Sequence, residues 1–224
     1  MTATATPLGC PRRGSERSRA LAGRCLSLIG WRVEGELPAV PRFVVIVAPH
    51  TSNWDFPICV LVMFTVGLQA TWLGKHTLFH FPVAGLLRWL GGEPIDRRAP
   101  HGTVGVAIER FRSRAQWVLA VSPEGTRKRV SHWKSGFHRI ARGVGVPILP
   151  VELDYSRRVV AIGTLFEPTD DGEGDIAMLQ RRFSPEMALY PGKFAAAPPY
   201  RDGEAGLIFP PSPPSDPVAP LRSS

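Results

Sequence analysis

The run Phe43-Val44-Val45-Ile46-Val47-Ala48 leads directly into Pro49-His50-Thr51-Ser52-Asn53-Trp54-Asp55. Six apolar residues in succession, mostly β-branched, suit a short strand covered on both faces. A strand with one wet face would alternate, and this one does not. Val118-Leu119-Ala120-Val121 and Ile148 to Leu153 have the same character, and Val159 to Ile162 adds a fourth run. Helical patterns lie between them. Val104, Ile108 and Phe111 share one stripe of the segment Val104 to Arg112, with Arg110 and Arg112 outside it. A long apolar helix is expected from Trp54 to Leu73, and a final helix from Asp175 to Phe183. Strands alternating with helices predict an α/β fold, a single domain with a largely parallel central sheet flanked by helices.

With 224 residues, 44% of them apolar, the chain can fill one sizeable core. Residues 1–16 are small, polar and basic and read as a disordered tail. Residues 197–224 carry Pro198, Pro199, Pro210, Pro211, Pro213, Pro214, Pro217 and Pro220, a density no helix or central strand tolerates. The folded domain is therefore expected over 17–196. Near its start, Arg19 to Arg32 mixes Leu21, Leu26, Leu28, Ile29 and Trp31 with Arg19, Arg24 and Arg32. That composition predicts an N-terminal amphipathic helix lying on a membrane interface, with packing on the sheet as the plain alternative. Phe56 to Leu73 is uncharged and just reaches spanning length, but Pro57, Gly67 and Gln69 favour a buried or embedded helix.

The net charge of +8 points to anionic partners: nucleic acid, phosphorylated substrates or an anionic membrane surface. No nucleic-acid motif accompanies it, so nucleic acid is not expected as a partner. Cys10, Cys25 and Cys59 are an odd set without metal-ligand spacing, which argues against a disulfide framework or zinc site and fits a reducing compartment. Arg24 interrupts the only stretch that resembles a secretory signal. His76 and His80 lie four apart, but with no acidic residue between them and no third ligand they predict no metal site.

His50 stands at the exit of the first buried strand, and sites in open α/β sheets gather beyond the carboxyl ends of strands. An imidazole near its ordinary pKa accepts a proton at neutral pH, and a carboxylate beside it holds its tautomer and stabilises the imidazolium. On one continuous helix, Asp55 would be turned well away from His50 at about 100° per residue. The two can meet if His50 lies in the turn before a helix whose first turn carries Asp55. Ser52 and Asn53 are good caps for such a helix. Taken alone, Asp55 could equally be a first-turn acid favoured by the helix dipole.

Two more features follow strands or turns. Ser122-Pro123-Glu124-Gly125-Thr126-Arg127 reads as a turn in which Gly125 permits close backbone approach and Arg127 offers a fork of donors to a phosphate. Gly91 to Arg98 is a glycine turn entering a short strand that ends in Arg97-Arg98. Each could be a solvated surface cluster.

Their order is informative. His50-x4-Asp55, Gly91 through Arg97, Pro123-Glu124-Gly125-Thr126-Arg127 and Val146-Pro147-Ile148-Leu149-Pro150 resemble the four sequence blocks of the glycerolipid acyltransferase family, whose best-known members acylate 1-acylglycerol-3-phosphate. The likeness runs from about Trp31 to Val160. It implies that His50 is the general base and Asp55 its orienting partner. It also implies that Arg97, Glu124, Gly125, Thr126 and Arg127 hold the acceptor's phosphate, with Lys134 a further basic residue at the site. Pro49, Pro94, Ser122 and Lys128 depart from the residues common in those blocks, which by the same resemblance shape the acceptor's pocket.

The implied reaction moves a fatty acyl group from acyl-CoA or acyl carrier protein to the hydroxyl of a lysophospholipid, with 1-acylglycerol-3-phosphate expected, in phospholipid biosynthesis. No metal or resident cofactor is implied, and the expected location is peripheral, on the cytoplasmic face of a membrane. Another lysolipid or an amino-lipid is the alternative acceptor. A non-catalytic module binding anionic lipid or nucleic acid is the alternative of another class.

Overall fold

Phe43 to Ala48 lies at the middle of the sheet. In the computed structural model, which describes residues 9–95 and 102–197, this run is strand β2 (Arg42–Ala48). It pairs in parallel with β5 (Trp117–Val121) on one side and β6 (Ile148–Asp154) on the other. Beyond β5 come β3 (Thr71–Lys75) and β4 (Gly92–Ile95), both parallel. Beyond β6, β7 (Val159–Ile162) runs antiparallel, and β1 (Arg32–Glu34) pairs with β7 at the edge. The order is β1-β7-β6-β2-β5-β3-β4.

Helices cover both faces, which explains the absence of alternation in β2. Phe43 and Val45 point into a core shared with Leu26 of α1 (Glu16–Leu28) and Ile58 and Val62 of α2 (Asp55–Thr65). Val44, Ile46 and Ala48 point the other way, into a core with Phe111 of α4 (Gly102–Ser113), Phe137 and Ile140 of α5 (Gly136–Val144) and Leu179 of α6 (Gly172–Gln180). A short α3 (Ala84–Trp89) leads into β4. Burying each such side chain contributes about 1.5–3 kcal/mol, against about 0–1 for a surface ion pair such as Arg142–Asp170. Between α5 and α6, His138 Nε2 meets Asp175 Oδ2 at 2.7 Å with both side chains buried, a polar tie inside the second layer.

Three expectations are corrected. The single helix from Trp54 to Leu73 is a helix and a strand: α2 stops at Thr65, Gly67 turns the chain at φ +67°, and Thr71–Lys75 is β3. No helix among the described residues is long and apolar enough to cross a membrane. The expected tail through Glu16 is packed from Gly9 onward. Cys10 is buried, Arg12 bridges to Leu68, the Arg13 amide donates to Gly67 O, and the Arg13 guanidinium lies 4.2 Å from the Phe64 ring centre. An arginine expected in a disordered tail instead stacks on an aromatic. Residues 1–8 and the proline-rich stretch from 198 lie outside the described residues. Finally, Ser52 and Asn53 do not cap α2; the residue before the helix is Trp54, with no side-chain cap bond.

Candidate active site

The carboxyl ends of β6, β2, β5, β3 and β4 share one edge of the sheet, because these five strands are parallel. His50 follows β2, Glu124 follows β5 and Tyr155 follows β6, so three loops converge from adjacent strands. Asp55 opens α2 and completes the group.

His50 Nδ1 lies 3.0 Å from Asp55 Oδ2. Starting the helix at Asp55 leaves His50 in the preceding turn, as the spacing argument requires. The Asp55 side chain is 1% exposed and the His50 ring 21%. Asp55 Oδ2 also accepts the Ser52 amide at 2.8 Å, while Oδ1 accepts the Tyr155 hydroxyl at 2.7 Å. The carboxylate is thus held by donors on both oxygens, which compensates its burial. As an acceptor it assigns the His50 proton to Nδ1, leaving the Nε2 lone pair available.

Glu124 is buried, and its Oε2 accepts the His50 amide at 2.7 Å. Expected among the phosphate-holding residues, it is placed against the backbone of His50 instead. Desolvation pushes its carboxyl up to about 7, opposed by the His50 amide and ring. The sign of the linkage follows: stability from a raised carboxyl pKa is present below the ordinary value near 4.5 and lost as pH rises through about 7. Glu124→Gln keeps an oxygen for the His50 amide and removes the titration. The wild-type melting temperature should therefore fall between pH 5 and pH 8 by more than that of Glu124→Gln. Parallel melting curves for the two proteins over that range would contradict the buried ionisation.

Tyr155 is pushed upward by burial and then by the Asp55 carboxylate, so its hydroxyl stays a donor. Burial, followed by Asp55, pushes the Cys59 thiol up to about 12, which keeps it from acting as a thiolate nucleophile.

The loop after β5 carries the remaining candidates. Gly125 sits at φ +67°, where a side chain would be strained, and a Cβ there would come within 2.9 Å of Lys134 Cδ, Cε and Nζ. Lys134 therefore lies across Gly125, and its amide donates to Pro123 O at 2.9 Å. Thr126 Oγ1 accepts the Lys128 amide. The loop is anchored by buried Trp133, which packs on Phe137 and Phe183. Arg127 and Lys134 are exposed and pair with no carboxylate among the described residues. Arg97 lies outside the described residues, just past β4, whose carboxyl end is at this same edge.

Some neighbours of the site are not predicted by the sequence. Tyr155 is one hundred positions from Asp55, and its only signal was its place directly after a buried strand. Thr51 accepts the Tyr190 amide on its hydroxyl, and its carbonyl receives Lys193 Nζ at 3.5 Å. Lys193 Nζ also lies 4.4 Å from the centre of the Tyr190 ring. The segment after α6 thus closes one side of the His50 turn.

An imidazole oriented by a buried carboxylate, with its Nε2 lone pair available, is equipped to take a proton from a hydroxyl, and the exposed cations of the loop that Glu124 ties to His50 are suited to an anionic substrate. A family model described as Acyltransferase matches residues 31–154, which include both the His50–Asp55 pair and the Glu124–Lys134 loop. The chain belongs to this acyltransferase family and is an enzyme of that class. No match was found among curated proteins. Among solved structures the chain is similar to the crystal structure of the 1-acyl-sn-glycerophosphate (LPA) acyltransferase PlsC from Thermotoga maritima. The sequence identity is 22%, 68% of each chain is covered and the TM-score is 0.51, a likeness of fold.

Proposed function

We propose that this acyltransferase moves a fatty acyl group from acyl-CoA or acyl carrier protein to the hydroxyl of a lysophospholipid, with 1-acylglycerol-3-phosphate the acceptor that best suits the site. The observation that carries the proposal is the His50–Asp55 pair at 3.0 Å, with Glu124 joining His50 to a loop whose exposed Arg127 and Lys134 have no carboxylate partner among the described residues. In this mechanism His50 Nε2 removes the acceptor hydroxyl's proton as that oxygen attacks the thioester carbonyl. The resulting imidazolium is stabilised by Asp55, whose position Tyr155 and the Ser52 amide maintain. Collapse of the tetrahedral intermediate breaks the carbon–sulfur bond, and the proton on Nε2 passes to the departing thiolate. The products are an ester and a free thiol, and no metal or resident cofactor takes part.

Glu124 acts through the backbone of His50, as a positioning residue. Gly125, Thr126, Arg127 and Lys134 form the anion-holding loop, with Arg97 assigned to it from the sequence pattern. Attachment is peripheral, at an anionic membrane surface on the cytoplasmic side, in keeping with the charge of +8 and three free cysteines. Helix α1 supports this: Arg17, Leu21, Arg24 and Leu28 form one exposed stripe, while Ala22 and Leu26 pack inward.

Arg127→Lys tests the phosphate assignment, because it retains the charge and loses the fork. Losing one charge-assisted hydrogen bond costs about 1.5–3 kcal/mol, or about one to two decades in kcat/KM. The loss should appear as a raised KM for 1-acylglycerol-3-phosphate, with the KM for acyl-CoA little changed. It should vanish for a monoacylglycerol that carries no phosphate. Equal losses on both acceptors would move the assignment to a phosphate-free lipid.

A further inference from the structure

Large hydrophobic side chains exposed to solvent are unevenly distributed over this fold. Tyr190 apart, every one among the described residues belongs to the layer that holds α1, α2 and α3: Leu21, Leu28 and Ile29, then Trp54, then a cluster from Leu78 to Trp89. Among the described residues, the layer of α4, α5 and α6 exposes none. Single exposed apolar residues are ordinary on protein surfaces, but a concentrated group marks an interaction site. The cluster is dense. Phe81 is 92% exposed, and Leu78, Val83, Leu86 and Trp89 range from 41% to 60% within twelve positions of chain.

We infer that the crossover His76–Trp89 is a membrane wedge, seated in an anionic bilayer with Phe81 at its tip. This rests on the membrane-surface reading above and names the segment that makes the contact. Charge complementarity selects the occupant. Lys75, His76, His80 and Arg88 are all exposed around the apolar cluster, and no acidic residue occurs between Asp55 and Glu93. Such a surface is attracted to anionic headgroups, and Trp and Phe are the side chains that settle at the interface.

The wedge is tied rigidly to the site. Phe79 lies between Gly74 and Gly92, where a Cβ on either would come within 2.9 Å of its ring. Its ring centre is 5.8 Å from that of Trp72, which in turn lies 5.2 Å from that of Phe56, the neighbour of Asp55 in α2. At the far end Trp89 packs on Phe64 of the same helix, and Arg13 donates to its carbonyl. The crossover begins at the carboxyl end of β3, on the sheet edge that carries His50. A bilayer contacting it would deliver a lipid acceptor's hydroxyl to that edge without the acyl chain leaving the membrane.

The test is co-sedimentation of the full chain with vesicles of phosphatidylcholine and phosphatidylglycerol, comparing wild type, Phe81→Asp/Leu86→Asp and Leu21→Asp/Leu28→Asp. Because Phe81 and Leu86 are exposed, the first double variant should keep its circular dichroism and melting temperature. Its apparent affinity for the vesicles should fall at least tenfold, and by more than that of the α1 variant. Added salt should weaken the wild-type interaction. Wild-type affinity in the wedge variant, together with loss in the α1 variant, overturns the inference and leaves membrane attachment intact. Failure of the wild type to sediment with anionic vesicles rejects the membrane reading itself. A dimer of the wild type that the wedge substitutions dissociate, without vesicle binding, assigns the patch to a second copy and also overturns the inference.

Discussion

His50→Ala should reduce turnover by about 10²–10⁴-fold or more, the range that a positioned general base contributes. Among the described residues of the site, the ring alone has both a free nitrogen lone pair and a carboxylate behind it. Truncation removes the proton acceptor and, of the contacts that hold the site, one of the three donors to Asp55. Asp55 would still receive the Ser52 amide and the Tyr155 hydroxyl, and the His50 amide would still donate to Glu124. Circular dichroism and melting temperature should therefore stay close to wild type while thiol release from acyl-CoA collapses. The acceptor's KM should change far less than kcat, since the cations assigned to its phosphate are untouched. Near-normal turnover in the purified variant would remove His50 from the mechanism.

Asp55→Asn should be nearly as damaging, for a different reason. Asp55 accepts from His50, Ser52 and Tyr155, and a carboxamide cannot serve all three. If its NH₂ turns toward His50 Nδ1, the imidazole proton is driven to Nε2, where the base needs its lone pair. If its oxygen keeps Nδ1, the NH₂ faces Tyr155, whose hydroxyl oxygen can accept from it but whose O–H loses its own acceptor, and the imidazolium still loses its counter-charge. A fall in kcat of about 10²–10⁴-fold is expected. In contrast to His50→Ala, a stability loss of about 1–3 kcal/mol should accompany it, because a buried donor is left without its acceptor. Kinetics and denaturant melts on the same preparation separate the two effects. A variant with unchanged kcat would show that the carboxylate has no part in turnover.

Much of this arrangement is legible in the chain. The continuous apolarity of Phe43 to Ala48 predicts a strand covered on both faces, and β2 is the middle of the sheet with a core on each side. The position of His50 at its exit, with Asp55 in the first turn of the next helix, follows from strand polarity and the helical repeat. Local pattern fails where two elements share one composition. Uncharged residues from Phe56 to Leu73 suit a buried helix and a buried strand equally, and only Gly67 marked the break. Pattern also fails for partners brought together by the fold. Nothing beside Tyr155 predicts its bond to Asp55, and nothing beside Glu124 predicts that it lies under the His50 backbone rather than in solvent. The amino end differs from its pattern for the same reason: Arg13 is ordered by Phe64 and Trp89, which are distant in sequence.

The most direct test of the function is the mass of the lipid product. Purified protein incubated with acyl-CoA and 1-acylglycerol-3-phosphate should yield the diacylglycerol phosphate, heavier than the acceptor by one fatty acid less one water, with one free thiol released per molecule formed. The same mixture with His50→Ala should yield neither above background. Release of thiol with free fatty acid and no acylated acceptor, or no reaction with any lysophospholipid supplied, would contradict the account.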